Sequence, residues 1–220
     1  MIIAIDGPAA SGKSTTARRV AEELGITYLD TGAMYRAVTL AVLEQGIDIR
    51  DEGALKKLLS TMDLSLRTES GKTVITLNGR DVSERIRAGD VTAHVSAVSA
   101  VPIVREVMVK LQRDLGNRDD SVVEGRDIGT VVFPEADHKF FIVADYRTRA
   151  ERRQKDLKQI GEERSLDELV EDLKRRDKKD SSRDHSPLKQ ADDAIVIDTS
   201  RLSIEEQVKI IVDKVKKGNS

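Results

Sequence analysis

Near the start of the chain, Gly7, Pro8, Ala9, Ala10, Ser11, Gly12, Lys13 and Ser14 fit the pattern G-x-x-x-x-G-K-[ST] in full. The two fixed glycines permit backbone conformations in which successive N–H groups turn inward around an anion. Lys13 can then reach the β- and γ-phosphates of a nucleoside triphosphate, and the Ser14 hydroxyl can take one coordination position on Mg2+. The helix expected to follow, with Thr15 in its first turn, points its positive end at the same charge. By chance such an octet arises in roughly one chain of this length in a hundred. Here it also stands between an apolar strand and an amphipathic helix, the context its chemistry requires.

The devices around this loop select among the chemistries it can serve. A guanine-reading Asn-Lys-x-Asp tetrad does not occur. Asp145 and Asp198 follow apolar runs, but Tyr146 and Thr199 come next, so the Asp-Glu pair of motor-type ATPases is missing as well. Arginine stands in their place. Arg126 follows a buried strand, and Arg176 and Arg183 lie near the end of a capped helix, with Asp180 between them. A guanidinium binds phosphate oxygens in pairs, and phosphoryl transfer is catalysed largely by such positioning and charge compensation. A kinase fits best. Arg176, Asp180 and Arg183 share one side of a helix if that helix continues so far. On spacing alone, a functional role and a solvated face stay equally open for them. The interleaved acids and bases of 147–183 otherwise read as a solvated face.

The elements that must position these residues read as an α/β protein. Ile2–Ile5 is a buried strand entering the loop, and Ala17, Val20, Ala21 and Leu24 mark a helix closed by Gly25. Thr27–Leu29 is a second strand. Helices follow from about Ala33 to Gly46 and through Leu55, Leu58, Leu59 and Met62. The texture changes at residues 63–83, where alternating apolar residues, a turn at Ser70-Gly71 and a hairpin signal at Asn78-Gly79 predict a small antiparallel meander. Pro102 opens a helix that stops at Gly116. Strands are expected at Ser121–Glu124, Lys139–Ala144 and Ala194–Ile197, and a polar helix at 147–161. Ser165 with Glu168, and Ser203 with Glu206, cap two further helices. Strands separated by helices imply a parallel sheet covered on both faces.

Bulk composition removes other functions. Lys and Arg (37) nearly balance Asp and Glu (39), for a net charge of -2, so no affinity for a nucleic acid polymer or a membrane surface is expected. The chain has no Cys, which rules out disulfides, thiolate catalysis and thiolate zinc sites. His94, His138 and His185 are too far apart for a local metal motif. The apolar start is too short for a signal segment. A cytoplasmic protein is expected, and nothing calls for more than a monomer.

Four segments resemble bacterial cytidylate kinase (CMP kinase), within the P-loop nucleoside monophosphate kinases. They are Ala4–Thr15, Leu29–Arg36 (LDTGAMYR), Val123–Pro134 (VEGRDIGTVVFP) and Arg176–Arg183 (RDKKDSSR). The resemblance runs from end to end, and the last three segments together are highly specific. It implies a P-loop kinase fold with a parallel five-stranded sheet, a β-meander insert and a short helical lid. The implied core is 1–30, 85–145 and 184–220. The acceptor-nucleotide region would be 31–84, and the lid with its following helix 146–183. The implied reaction is ATP-dependent phosphorylation of CMP, and of dCMP, with Mg2+. Ser96, Arg105 and Asp127 resemble cytosine readers, Arg36, Arg126 and Arg183 ligands of the acceptor phosphate, and Arg176 and Asp180 sugar contacts. Thr31, Gly32 and Tyr35 would line the same pocket. Lys13, Arg126, Arg176 and Arg183 would carry the catalysis, and Arg149, Arg152 or Arg153 of the lid would reach the ATP phosphates. A kinase for another nucleotide or a metabolite, or a non-catalytic nucleotide-binding module, are the alternatives.

Overall fold

The computed structural model describes residues 1–69, 72–159 and 161–218. The chain forms two compact units, Met1–Tyr28 with Asp119–Ser220, and Leu29–Arg118. In chain order, its first elements are β1 (Ile2–Asp6), α1 (Lys13–Leu24), β2 (Thr27–Asp30), α2 (Thr31–Glu44) and α3 (Glu52–Thr61). Next come β3 (Leu64–Glu69), β4 (Lys72–Leu77), β5 (Arg80–Asp81), α4 (Gly89–Val98) and α5 (Pro102–Gly116). The rest are β6 (Ser121–Gly125), β7 (His138–Val143), α6 (Tyr146–Gln159), α7 (Leu166–Ser181), β8 (Ile195–Asp198) and α8 (Ile204–Gly218). A 3-10 turn, Arg85–Arg87, precedes α4, and a π-helical turn, Ile128–Val132, follows β6.

A parallel five-stranded sheet in the order β2-β6-β1-β7-β8 organises the first unit. All five residues of β6 are buried, as strands covered on both faces must be. On one face α1 and α8 pack together, joining Ala17, Val20, Val208, Ile211 and Val215 to Ile3, Ile5, Val122, Phe140 and Ile142. Each Val, Ile or Phe side chain among these contributes roughly 1.5–3 kcal/mol when fully buried, so this layer is the main support of the strand ends. The register pairs Asp6 with Gly125. The loop after β1 and the segment after β6 therefore leave the sheet side by side at its C-terminal edge, where open α/β sheets bind ligands.

A smaller core of Ala150, Leu157, Leu169 and Leu173 joins α6 to α7 and reaches Ala9 in the loop after β1. The expected capping box of Ser165 and Glu168 is present at the head of α7. Ser203 and Glu206 likewise exchange bonds at the head of α8.

In the second unit α2 is almost wholly buried, and α4, α5 and the 3-10 turn pack against it. The meander is present as the antiparallel sheet β3-β4-β5. Asn78 and Gly79 both take positive φ, 51° and 75°, in the two-residue hairpin between β4 and β5. The turn expected at Ser70-Gly71 lies outside the described residues.

Three expectations need correction. Helix α2 starts at Thr31 rather than about Ala33, because the Asp30 carboxylate accepts from Ala33 N at 2.8 Å and caps it. Helix α4 has no counterpart in the sequence reading, for its β-branched residues are poor helix formers and its N-cap makes no side-chain bond. Only the spacing of Val91, Val95 and Val98 announces it. Residues 85–118, set in the core from sequence, belong to the unit of α2, where Val104 and Met108 are fully buried.

Candidate active site

Positive φ at Gly7, Ala10 and Gly12 curls the loop between β1 and α1 into a concave run of amides. A Cβ at Gly7 would lie 2.2 Å from the Ile142 carbonyl oxygen, so the approach of β7 admits only glycine there. Amides that face inward leave carbonyls facing out, and these have fixed partners. Arg149 Nε donates to Ala9 O at 2.7 Å, and both Arg152 NH1 (2.9 Å) and Thr199 Oγ1 (2.8 Å) donate to Ser11 O. Arg149 in turn forms a two-point ion pair with Asp177 of α7 at 2.6 and 2.8 Å. Thr16 Oγ1 donates to Gln207 Oε1 at 2.6 Å, tying the first turn of α1 to α8. The Ser11 hydroxyl is fully buried and finds no partner among the described residues, a cost that a bound phosphate oxygen would remove.

At the C-terminal end of β6 the Glu124 carboxylate is 2% exposed and gathers three groups. Ser14 Oγ donates to its Oε2 at 2.9 Å, Tyr28 OH donates to its Oε1 at 2.6 Å, and Lys13 Nζ lies 3.8 Å from Oε2. Asp6, at the end of β1, accepts from Ile128 N at 2.9 Å and Gly129 N at 2.8 Å. Burial pushes its carboxyl up to about 7, against the pull of those two amides. Neither acid was assigned a role from sequence. The available signal was a carboxylate at the end of an otherwise apolar, buried strand, in Ile2–Asp6 and again in Ser121–Gly125.

The expected acceptor groups of the first unit gather around Asp180, which is buried near the end of α7. Arg126 Nε donates to Asp180 Oδ2 at 3.2 Å, Arg176 Nε lies 4.0 Å from the same oxygen, and Arg183 Nε donates to Asp180 O at 3.2 Å. Helix α7 stops at Ser181, so Arg183 is not on the helical face that its spacing suggested. It reaches the cluster by folding back from beyond the C-cap. Asp127, 4% exposed, is the N-cap residue of the π-helical turn but makes no side-chain cap bond. Among the lid arginines, Arg149 is 2% exposed, which corrects the reading of this stretch as a solvated face. Arg149 and Arg152 hold loop carbonyls, whereas Arg153 makes no hydrogen bond or ion pair among the described residues.

In the second unit, Arg105 is 4% exposed on α5. Its guanidinium carbon lies 5.3 Å from the Tyr35 ring centre, and its NH1 donates to Ser99 O at 3.1 Å. Arg36 on α2 donates through NH1 to Thr92 Oγ1 at 2.9 Å and to Ile86 O at 3.3 Å. Thr31 and Gly32 open α2, and Ser96 lies half-buried on α4.

A divalent cation can be tested against this donor set. Among the described residues no group of three or more His, Cys, Asp or Glu could cage a metal. Mg2+ commonly binds through one or two protein oxygens and completes its shell with water and substrate phosphates. The adjacent Ser14 hydroxyl and Glu124 carboxylate suit that mode. Among the described residues no single helix is long and apolar enough to cross a membrane.

Comparison with known proteins gives the family and the fold of the chain. The family profile described as Cytidylate kinase matches residues 3–217. A cytidylate kinase of Streptococcus suis is 49% identical over 97% of this chain and 96% of its own length. That of Acholeplasma laidlawii is 46% identical over 97% and 94%. Among solved structures, an uncharacterised protein from Eubacterium ventriosum aligns with a TM-score of 0.55 at 17% identity, over 99% of this chain and 98% of its own. A shikimate kinase from Bacteroides thetaiotaomicron aligns with a TM-score of 0.52 at 14% identity, over 98% of each chain. These last two are similar in fold.

Proposed function

The chain belongs to the cytidylate kinase family, and from that premise we propose how its residues divide the phosphorylation of CMP among themselves. It is a nucleoside monophosphate kinase that phosphorylates CMP and dCMP, and we take the donor to be ATP. The observation that carries this reading is the extent of the match, residues 3–217, which takes in the phosphate loop and every segment bearing the arginines.

In this reading the loop Gly7–Thr15 holds the triphosphate of ATP through its amides and Ser11, with Lys13 on the β- and γ-phosphates. Ser14, and Glu124 behind it, would hold Mg2+, which supplies positive charge to the phosphates when bound. Arg126 and Arg183 compensate the charge of the acceptor phosphate, and Arg176 and Asp180 contact the sugar; Arg36 is assigned to the acceptor phosphate from its place in the segment LDTGAMYR. The acceptor oxygen is largely ionised near neutral pH, so no strong general base is required. The γ-phosphoryl group passes in line to that oxygen, and no covalent enzyme intermediate forms. The braced carbonyls of Ala9 and Ser11 support a loop that does not reorganise during transfer. Arg153 is the lid arginine we assign to the ATP phosphates, because Arg149 and Arg152 already hold loop carbonyls. The lid, 146–183, keeps water from accepting the phosphoryl group.

Cytosine offers an N4 amino donor with N3 and O2 as acceptors. Asp127 can accept from N4, Arg105 can donate to the ring acceptors, and Ser96 adds a hydroxyl. Uracil would set O4 against the carboxylate and leave it unpaired. With ATP and a panel of monophosphates, ADP release should be stimulated by CMP and dCMP above all others. Asp127→Ala should lower the CMP/UMP ratio of kcat/KM by about tenfold or more while the KM for ATP moves little. An unchanged ratio would remove Asp127 from the base site. A cytoplasmic monomer remains part of this reading, and a dimer in sedimentation at micromolar concentration would overturn that half of it.

A further inference from the structure

A helical turn leaves its first N–H groups without intrahelical acceptors, and the residue at its N-cap usually satisfies one or two of them. Asp127 holds the N-cap position of the turn Ile128–Val132 and is of the right type, yet its side chain makes no such bond. The amides of Ile128 and Gly129 go instead to the two oxygens of Asp6, 122 and 123 residues away, at 2.9 and 2.8 Å. Asp6 is 4% exposed and ends β1 opposite Gly125, at the point where β6 gives way to Arg126 and Asp127. Gly129 fits closely here, since a Cβ on it would lie 3.5 Å from Asp6 Oδ2 and 3.2 Å from Lys139 Cδ.

We propose that Asp6 is a positioning residue for the acceptor nucleotide. By capping the turn from β1, its carboxylate relieves Asp127 of that task and fixes the backbone from which Asp127 and Arg126 present their side chains. Asp6 therefore acts on base selection through Asp127, not by touching substrate. A carboxylate suits this place because each oxygen takes one amide. An asparagine would turn its NH2 toward one of those donors and keep a single bond. The inference rests on the proposed role of Asp127 in reading cytosine.

The test is steady-state kinetics on Asp6→Asn and Asp6→Ala, with CMP and UMP as acceptors and ATP varied separately. The expected result is a KM for CMP raised about fivefold in Asp6→Asn and further in Asp6→Ala, with a lower CMP/UMP ratio in both. The KM for ATP should stay within about twofold, although Asp6 directly precedes Gly7. Calorimetry with Mg·ATP on each variant provides the measure of folding and of the phosphate loop. If ATP binding is lost along with CMP, Asp6 serves the loop as a whole and the proposal fails. It also fails if the CMP/UMP ratio is unchanged in both variants while Asp127→Ala lowers it. If Asp127→Ala leaves that ratio intact, it is the cytosine-reading role that fails.

Discussion

The loop after β1 and the segment after β6 leave the sheet at neighbouring strand ends, but they are prepared for charge in different ways. The loop presents backbone. Its curvature comes from positive φ within six residues, and the side chains that brace it, Arg149, Arg152 and Thr199, bind outward-facing carbonyls. The segment after β6 presents side chains held by distant parts of the chain. Arg126 is fixed by Asp180, 54 residues on, and the turn behind Asp127 by Asp6. A phosphate that enters the loop meets backbone amides and draws Lys13 away from no more than a 3.8 Å contact with Glu124. At Arg126 it must compete with Asp180, so binding there exchanges one partner for another and depends on the acceptor matching both. That difference suits a donor common to many enzymes and an acceptor that has to be selected.

The largest effect should come from Lys13→Ala, which removes the one side-chain charge the loop itself supplies. ADP release should fall by about a thousandfold or more. Residual activity above a tenth of the original would show that the backbone alone carries the donor side. Next is Arg149→Ala, which strips a carbonyl of its donor and leaves Asp177 unpaired beside it. A loss of about 3 kcal/mol in urea unfolding is expected, and a negligible loss would mean the loop needs no brace from the lid.

Asp6 sets a smaller, pH-dependent effect. Its folded-state value of about 7 lies above the ordinary 3.8, so the folded protein binds this proton more tightly than the unfolded chain does. Its contribution is therefore greatest below about pH 4, declines as the pH rises, and levels off above about 7. Relative to Asp6→Asn, the wild-type protein should lose about 1–3 kcal/mol across that window. A flat difference would mean the buried carboxyl is not perturbed. The smallest effect is expected for Arg19→Ala, whose exposed pair with Glu205 should leave the unfolding midpoint unmoved.

Much of the molecule was legible because its signals are local. The phosphate loop, the Asn78-Gly79 hairpin, the Ser165 capping box and the helix opened by Pro102 each depend on residues within a few positions of one another. Helix α4 escaped because its propensities are weak and only packing against α2 stabilises it. Arg183 was placed by a period that ends two residues too early, and Arg149 was lost among charges whose burial depends on α7 lying beside α6. The roles of Glu124 and Asp6 could not be read from their neighbours along the chain.

By itself, then, the order of residues determined the strand–loop–helix unit that receives a triphosphate, the parallel α/β class and the family to which the chain belongs. It did so because backbone conformation and apolar period are short-range properties. Tertiary structure alone decided which carboxylate holds Ser14, which one caps the turn after Asp127, and which arginines brace the loop rather than face solvent. Those choices are made by desolvation and by contacts between groups up to about 140 residues apart, and neither exists until the sheet has formed.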